Sequence, residues 1–539
     1  MRRRRFLCGC VFALSAPLAQ RAARMFSPAA RASQTSGSFE SRIAFETSDS
    51  RYQAVYRHAL DVLERNITPV AGYSRPVLIE GSNYGGIWLE CAPHEGLVYA
   101  LLGPEIARNN HLAFFAMQRE DGQLPCWCRT SGSGFAQIQM VVPIAATAWE
   151  LSEQSGDGEL LEKAYDACSR WDDWLRRYRD TRGSGLCEGF CTWDTGHDNS
   201  PRWAGIPNRC PDGDARKCPA LASLPRLCPD LSATVYGGRI ALAAMARALG
   251  RNSEADRWLH YANTIRQQII SRLYAPADAS FYDLDRQDHW IRIRSDVISR
   301  VLGEQVVDQK LFNLVYRREI HDSEAFWPPY PLPSIALNDP AFVRPSTRNS
   351  WGGPSQALTA LRAPRWMEHY GKPADLAYLM QQWLSAILPA GEFLQQMDPV
   401  SGRFTPDRGG YSPAALVFVD FTWRLQGVRQ AGDKLEWNVR PSEGDSHSRY
   451  RLRIAPTRTA ELRYRPGRAE LLLNEKLLYR TQGTVRLLTD QGGKLVSACG
   501  ISAGKSNVLI QARSGAELRV SLAPNQHISL SSPPLQYGR

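Results

Sequence analysis

The chain has 539 residues, of which 43% are hydrophobic and 22% are charged, as in an ordinary globular protein. Its length exceeds that of one typical domain. The formal net charge of +11 includes seven arginines that precede Ala32 without any acidic residue, so the remaining chain carries only +4. A balance this mild gives no argument for binding to nucleic acid or to a membrane surface.

The first residues have the pattern of a targeting segment. Arg3 and Arg4 match a twin-arginine signal, and the apolar run 7–18 is too short to span a bilayer as a permanent helix. We therefore expect residues 1–32 to direct export, to the periplasm or the extracellular space, and residues 33–50 to form a polar linker. No stable membrane insertion is expected.

Ten of the twelve cysteines lie beyond the targeting segment, and an exported protein is free to form disulfides. Cys210 with Cys218 and Cys187 with Cys191 are plausible pairs, although spacing does not fix the connectivity. The Cys-x-Cys and Cys-x₃-Cys spacings lack a matching set of His or Cys partners. We therefore expect no metal site and no cofactor.

From residue 51 to about 430 the sequence has mostly helical periodicity. Apolar residues recur at three- and four-residue spacing in 161–178 and 258–273, which predicts one buried face on each helix. Ser253, with Asp256 three residues later, resembles a capping box. Ten to twelve helices are expected in this domain, the others near 52–66, 96–117, 139–153, 235–249, 291–302, 307–317, 355–362, 373–388 and 412–425.

The pattern changes near residue 431. Apolar and polar residues alternate in 450–454, 460–464, 485–487 and 518–522, and turn residues separate these runs. We expect residues 431–539 to form a small antiparallel β domain, most simply a sandwich. It would pack on the helical domain, or alternatively bind sugar on its own.

One connection between helices, residues 180–230, is long for a compact domain, and such loops are usually functional or disordered. Within it, 193–203 reads Trp-Asp-Thr-Gly-His-Asp-Asn-Ser-Pro-Arg-Trp. Its tryptophans suit the apolar face of a sugar ring. Because burial disfavours a charged carboxyl, Asp198 or Asp194 could keep its proton near neutral pH and act as a general acid. Either aspartate could equally be a turn residue.

The stretch 193–203 resembles the catalytic-acid loop of the (α/α)6-barrel glycosidases. That clan includes trehalases, family 63 α-glucosidases and mannosylglycerate hydrolases. The resemblance implies a mainly α fold, an (α/α)6 toroid with a small C-terminal antiparallel β-sandwich domain. It also implies that Asp198 protonates the leaving oxygen, and that Trp193 and Arg202 in the same loop hold the sugar.

Further stretches resemble the same clan in the expected order, over about residues 84–427. The segment 84–94 places Glu90 where the clan has a sugar-binding Asp, and Gln139 corresponds to a substrate-binding Gln at the start of a helix. Trp327, in 326–334, and Trp351, in 349–354, correspond to site aromatics. In the last segment Gly352 replaces an Arg, which removes an expected cationic contact with the sugar.

The base segment departs from the clan. Where the clan has Glu, three residues before the Asp-Pro of 398–399, this chain has Gln395, whose amide can orient a water but cannot take its proton. Inverting hydrolysis needs a second carboxylate. Glu392 is the substitute that we expect to be the base, ahead of Asp398, Glu90 and Asp407.

Together these features predict an exported glycoside hydrolase that cleaves an α-glycosidic bond of a small or terminal sugar with inversion, with a carbohydrate as its only expected partner. Two alternatives remain open. The chain could be a sugar-binding protein on a barrel that has lost its base, or a sugar lyase that needs a single acid/base. The sequence does not determine the sugar, the linkage or the oligomeric state.

Overall fold

The structure, a computed structural model, describes residues 41–441 and 446–530. The predicted targeting segment, 1–32, and the first part of the predicted linker lie outside these described residues. Over the described ranges, we find no helix with both the length and the apolar character that a membrane span requires.

Twelve α-helices occur in the described part of the chain, all between residues 50 and 426. They are α1 (Ser50–Arg65), α2 (Ala92–Tyr99), α3 (Pro104–Ala116), α4 (Ile144–Ser155), α5 (Gly158–Tyr178), α6 (Pro229–Ala248), α7 (Asn252–Gln268), α8 (Val297–Gly303), α9 (Gln309–Val315), α10 (Ala357–Met367), α11 (Pro373–Ala390) and α12 (Ser412–Gln426). π-Helical turns extend α7 through Ile269–Leu273 and α9 through Tyr316–Ile320. The prediction of a mainly helical region is confirmed.

Several helices begin and end at residues whose chemistry favours a boundary. Asp49, Asp157 and Asp308 precede α1, α5 and α9, and each carboxylate accepts a hydrogen bond from a backbone N–H of the first turn. Gly156 and Gly391 end α4 and α11 in the left-handed conformation that glycine adopts without steric cost.

Two predicted helix starts are wrong. Gln139 lies before α4 rather than in its first turn, since its backbone is left-handed (φ 43°) and the helix begins only after Pro143. No capping box forms at Ser253, because α7 begins one residue earlier, after Arg251, and without a side-chain cap. Both starts depend on backbone geometry, which hydrophobic periodicity does not report.

The even-numbered helices contact one another in order around a closed ring. α2 contacts α4, α4 contacts α6, and the contacts continue through α8, α10 and α12, which returns to α2. Odd-numbered helices pack against this ring: α1 on α12, α3 on α2, α5 on α4 and α6, α7 on α6, and α11 on α10 and α12. The ring brings together the segments that lead into the even-numbered helices.

Short strands occupy the connections between helices. They are β2 (Ile67–Val70), β3 (Tyr73–Leu78), β4 (Gly86–Trp88), β5 (Trp127–Arg129), β6 (Gly132–Gly134), β7 (Glu188–Gly189), β8 (Arg226–Leu227), β9 (Tyr274–Ala275), β10 (Ser280–Phe281), β11 (Asp283–Leu284), β12 (Trp290–Ile291), β13 (Ser355–Gln356) and β14 (Gln396–Met397). The pair β13–β14 matters for the site, because it joins the segments that carry residues 349–351 and 395.

The C-terminal region is β-rich, as expected. Its strands are β1 (Ile43–Thr47), β15 (Val428–Ala431), β16 (Lys434–Val439), β17 (Ser448–Ala455), β18 (Arg458–Arg465), β19 (Arg468–Leu473), β20 (Lys476–Gln482), β21 (Val485–Asp490), β22 (Leu495–Cys499), β23 (Ser506–Ala512), β24 (Glu517–Leu522) and β25 (His527–Ser529). A seven-stranded antiparallel sheet has the order β1-β17-β18-β19-β20-β23-β24, and a five-stranded sheet has the order β15-β16-β21-β22-β25. The predicted linker 33–50 therefore contains a strand of this sheet.

The helical and β regions share one hydrophobic core, which includes Trp423 of α12 and Trp437 of β16. A partly buried ion pair also joins them. Arg486 of β21 donates to both carboxylate oxygens of Glu368, just beyond α10, at 2.6 and 2.9 Å. Arg429 of β15 lies 3.2 Å from the same carboxylate.

Candidate active site

The loop 190–203, which leads toward α6, is fixed by a buried aspartate. Asp194 pairs with Arg179 and accepts hydrogen bonds from the backbone N–H groups of Phe190, Cys191 and Ile138. These donors occupy both carboxylate oxygens of Asp194. Asp194 therefore positions the loop, and of the two aspartates considered as the acid only Asp198 remains.

Arg202 does not face a sugar, which corrects the prediction from the sequence. All five of its N–H donors are occupied: it binds Asp230 and Asp283 bidentately, and one Nη1 hydrogen points to Nδ1 of His197 at 2.9 Å. The residue is 2% exposed. Its role is to anchor the end of the acid loop to α6 and β11.

Asp198 is partly buried and has one side-chain partner. Its Oδ2 accepts a hydrogen bond from Nδ2 of Asn349 at 2.6 Å, and its backbone oxygen accepts one from the N–H of Trp351 at 3.0 Å. Burial, together with the negative charge of Glu90, raises the pKa of Asp198 to about 7, against the opposing effect of Asn349. A carboxyl group with this pKa can donate a proton near neutral pH.

A chain of hydrogen bonds between neutral side chains connects Asp198 to Tyr84. The Tyr84 hydroxyl donates to Oε1 of Gln395 at 2.9 Å, and Nε2 of Gln395 donates to Oδ1 of Asn349 at 2.9 Å. Asn349 then donates to Asp198. Gln395 is 7% exposed, and its amide keeps one N–H and one lone pair for a further partner.

Glu90 and Gln139 form a second group beside the acid loop. Nε2 of Gln139 donates to Oε1 of Glu90 at 3.3 Å. The other carboxylate oxygen of Glu90 packs against Gly196, so closely that a Cβ at that position would lie 1.5 Å from it. Burial raises the pKa of Glu90, and the nearby charges of Arg362 and Arg300 oppose this rise.

The three predicted tryptophans lie in different surroundings. Trp193 is half-buried, with the guanidinium of Arg209 4.8 Å from its ring centre. Trp351 is only 2% exposed and packs beside His197, so its ring has no free face for a sugar, contrary to the prediction. Trp327 packs against His321 and Tyr378, near α9 and α11, and none of its ring contacts involves the Asp198 network.

Glu392 lies outside the network that surrounds Asp198. Its Oε1 accepts hydrogen bonds from the N–H groups of Phe393 and Gly410, and it lies 3.5 Å from Nε2 of His58 in α1. The side chain is 40% exposed. The structure therefore does not bring the predicted base together with the predicted acid.

Two network members were not among the predicted site residues. Tyr84 and Asn349 stand at the first positions of the segments 84–94 and 349–354, which were selected for Glu90 and Trp351. The motifs therefore contain both residues, but the hydrogen-bond partners of an amide or a hydroxyl group cannot be identified from sequence order alone.

The ten described cysteines are free, so neither of the two plausible pairs, Cys187–Cys191 and Cys210–Cys218, forms a disulfide in the described chain. Cys191 lies instead near Cys210, with the two sulfur atoms 3.7 Å apart. Three groups of side chains have the spacing of a cation site: Cys191, Asp194 and Cys210; Cys228, Asp230 and Asp283; and Glu80, Cys91 and Glu95. In the first two, arginines already neutralise the aspartates.

A ring of paired helices, with a protonatable aspartate and neutral amides on the segments that lead into it, is the arrangement of a six-hairpin glycosidase of the trehalase and GH63 type. The comparison of sequences is more specific. The chain belongs to the family of mannosylglycerate hydrolase MGH1-like glycoside hydrolases, whose domain description matches residues 84–423. The resemblance inferred from the sequence motifs is thus confirmed.

Solved structures share the fold at low sequence identity. The GH63 mannosylglycerate hydrolase from Thermus thermophilus in complex with glucose has a TM-score of 0.54 and 20% identity, over 68% of this chain and 99% of that one. Neutral trehalase from Saccharomyces cerevisiae gives 0.51 and 13%, over 68% and 80%. A GH78 rhamnosidase of Bacillus sp. GL1 gives 0.55 and 12%, over 81% and 42%. No curated protein matches the chain significantly.

Proposed function

We propose that this protein is an exported hydrolase that cleaves an α-glycosidic bond of a small or terminal sugar with inversion at the anomeric carbon. The scaffold would be an (α/α)6 toroid that carries a C-terminal β sandwich. Support for the toroid comes from the closed ring of even-numbered helices and the odd-numbered helices packed on it. The two antiparallel sheets that share a core with α12 support the sandwich.

The observation that carries the proposal is the state of Asp198. It lies in a loop like the acid loop of related glycosidases, it has one neutral side-chain partner, and burial raises its pKa to about 7. A structural aspartate in this fold, such as Asp194, is instead paired with an arginine. Asp198 would therefore protonate the glycosidic oxygen as the bond to the sugar breaks.

Hydroxyl groups of a sugar need partners that both donate and accept hydrogen bonds. Gln139 and Gln395 offer amides, and Glu90 offers Oε1, the carboxylate oxygen that faces Gln139. We propose that these three residues, with the half-buried ring of Trp193, hold the sugar beside Asp198.

The test is a product analysis with the purified protein. Mannosylglycerate, trehalose, and aryl α-mannosides and α-glucosides are the compounds to try, because similar structures include a mannosylglycerate hydrolase and a trehalase. We expect proton NMR to show a β-anomer as the first product. A first-formed α-anomer would contradict inversion, and an unsaturated sugar would identify a lyase instead.

A second candidate function rests on Gln395, which stands where the clan has its base. If the chain were only a sugar-binding protein, calorimetry would detect a sugar that binds while NMR detects no product. In that case the wild type would have no turnover and Gln395→Glu would create it. A working hydrolase would already be active without this change.

Export is a separate proposal that rests on the paired Arg3 and Arg4 before an apolar run. Replacing both with lysine should leave full-length protein in the cytoplasm, because the twin-arginine signal is read as that pair. The measurement is a fractionation with immunoblotting. Equal amounts of processed protein outside the cytoplasm would contradict the proposal.

A further inference from the structure

We propose that Asp407 is the catalytic base of this enzyme, an inference that rests on the proposed hydrolase function. The need is chemical, because inversion requires a carboxylate that deprotonates the attacking water. Gln395 cannot do this, and Glu392 is held by backbone N–H groups and His58 away from the Asp198 network.

Asp407 is held by one of its two oxygen atoms. Its Oδ1 accepts hydrogen bonds from Nδ2 of Asn83 and from the N–H of Arg408, both at 2.7 Å, and lies 3.7 Å from Nη1 of Arg348. No described residue donates to Oδ2 of Asp407. The side chain is 9% exposed. It is therefore oriented, kept beside a positive charge, and left with one free oxygen.

Two sets of contacts connect Asp407 with the site. Asn83, its partner, directly precedes Tyr84, whose hydroxyl donates to Gln395 and so begins the chain of hydrogen bonds to Asp198. The charges of both carboxylates also act on the Tyr84 hydroxyl. Burial raises the pKa of Tyr84 most, followed by the charges of Glu80, Asp198 and Asp407. Asp198 and Asp407 are thus both close enough to Tyr84 for their charges to raise its pKa.

The side chains of the other acids near the site form hydrogen bonds elsewhere, and none of them bonds to Tyr84, Asn83 or Gln395. Glu80 is fully buried and accepts hydrogen bonds from Tyr411 and Cys91. Asp398 caps the turn 398–401 by accepting from Ser401 and Val400. The free oxygen of Glu90 is packed against Gly196. In the described part of the site, Asp407 is thus the acid that combines an oxygen without a donor with a hydrogen bond from Asn83, the neighbour of Tyr84.

The reaction then balances. Asp198 gives its proton to the glycosidic oxygen, the bond from that oxygen to the anomeric carbon breaks, and the alcohol leaves. A water oriented by the remaining amide valences of Gln395 attacks the anomeric carbon from the opposite face, and Asp407 takes one of its protons. Asp198 ends charged and Asp407 neutral, and exchange with solvent restores both groups.

The experiment compares Asp407→Asn with Glu392→Gln, a change of the same kind in the same chain segment. We expect Asp407→Asn to lower kcat on the order of 10²–10⁴-fold and Glu392→Gln to leave it within about threefold. In Asp407→Ala, azide should restore turnover of an α-glycosyl fluoride and give the β-glycosyl azide, because the small anion needs no base. Near-wild-type kcat in Asp407→Asn would overturn the inference.

A crystal structure gives a readout that needs no substrate. The carboxyl groups of Asp198 and Asp407 should lie about 6.5–9.5 Å apart, as inverting enzymes require, with a water bound by Asp407 and Gln395. A separation outside this range overturns the inference. Failure of the proposed function is distinguishable, because then the wild type itself gives no inverted sugar product, whereas loss of turnover in Asp198→Asn but not in Asp407→Asn contradicts only the role of Asp407.

Discussion

Asp198 shows how surroundings set the chemistry of a single residue. The Asp194 carboxylate, four positions earlier, forms an ion pair with Arg179, whereas the side-chain partner of Asp198 is the neutral amide of Asn349. Asp198→Asn should therefore lower kcat on the order of 10²–10⁴-fold, because an amide cannot donate the required proton. Steady-state kinetics would measure this, and circular dichroism would confirm the fold. Turnover within a few-fold of wild type would remove Asp198 from the acid role.

The pKa of Asp198 predicts how activity depends on pH. A general acid works in its protonated form, so kcat/KM should be full below the pKa and fall as the pH rises through about 7. The Glu90 charge raises this pKa and the Asn349 hydrogen bond lowers it. Glu90→Gln should thus move the alkaline limb to lower pH, and Asn349→Gly should move it to higher pH.

These two variants control for each other, since a nonspecific disturbance of the site would move the limb the same way in both. Glycine is the suitable replacement for Asn349, because the backbone there is left-handed (φ 50°). An alkaline limb that stays in place in both variants would assign the titration to another group.

Arg202 tests the difference between a structural and a substrate-binding arginine. Arg202→Met removes the side chain that binds both Asp230 and Asp283, and it should lower the free energy of unfolding by about 3–5 kcal/mol, because a buried charge loses its partner. Urea denaturation would measure it. Arg209→Met, at an exposed cation–π contact with Trp193, is the control and should cost about 1 kcal/mol at most. A raised KM with unchanged stability in Arg202→Met would support the sugar contact.

What the sequence could predict at this scale depends on where a residue finds its partners. Asp198 was identifiable because turn residues and tryptophans next to it in the chain mark the loop. Arg202 was misassigned, since the partners that occupy its donors come from β11 and from the first turn of α6. Trp351 was misassigned because burial depends on helices packed around it.

At the scale of elements, Gly196 sets the distance between the acid loop and the segment before α2. Its left-handed backbone (φ 63°) and its contact with Glu90 both disfavour any side chain. Gly196→Ala should therefore destabilise the protein and lower kcat, since the new methyl group displaces Glu90 or the loop. Gly205→Ala is a matched control in the same connection, with φ 75° and no neighbouring atom within 4 Å. It should cost only about 1–2 kcal/mol of backbone strain.

Denaturation and kinetics on both variants would separate the two effects. The excess cost of Gly196→Ala over Gly205→Ala measures the contact with Glu90. Equal stabilities and equal kcat values in the two variants would show that this contact does not position the loop.

Helices that bury a single face were predictable, and the periodicity of α5 and α7 records that face directly. The residues at which helices begin and end were harder to predict. The prediction joined α2 and α3 into one helix near 96–117, but Gly103 and Pro104 separate them. Short strands such as β13 and β14 carry two residues each and leave no alternating pattern, although their pairing brings Gln395 close to Asn349.

For the whole molecule, the continuous core predicts that the helical and β regions unfold together, in one urea transition. The ion pair between Glu368 and Arg486 contributes to this coupling, so Glu368→Gln should lower the free energy of unfolding by about 1.5–3 kcal/mol. Glu470→Gln, which breaks an exposed pair with Arg480 inside the β region, should cost about 0–1 kcal/mol. Two separate transitions in the wild type would contradict the shared core.

The pairing of β1 with β17 has a consequence for biogenesis. Ile43 finds its partner, Leu452, about 400 residues later in the chain, and α1 likewise packs on α12. At the usual rate of about 5–20 residues per second, the ribosome needs roughly 20–80 seconds to make the partner. The first strand has no partner throughout that time, and a chain cut short before residue 448 cannot form the β1–β17 pair.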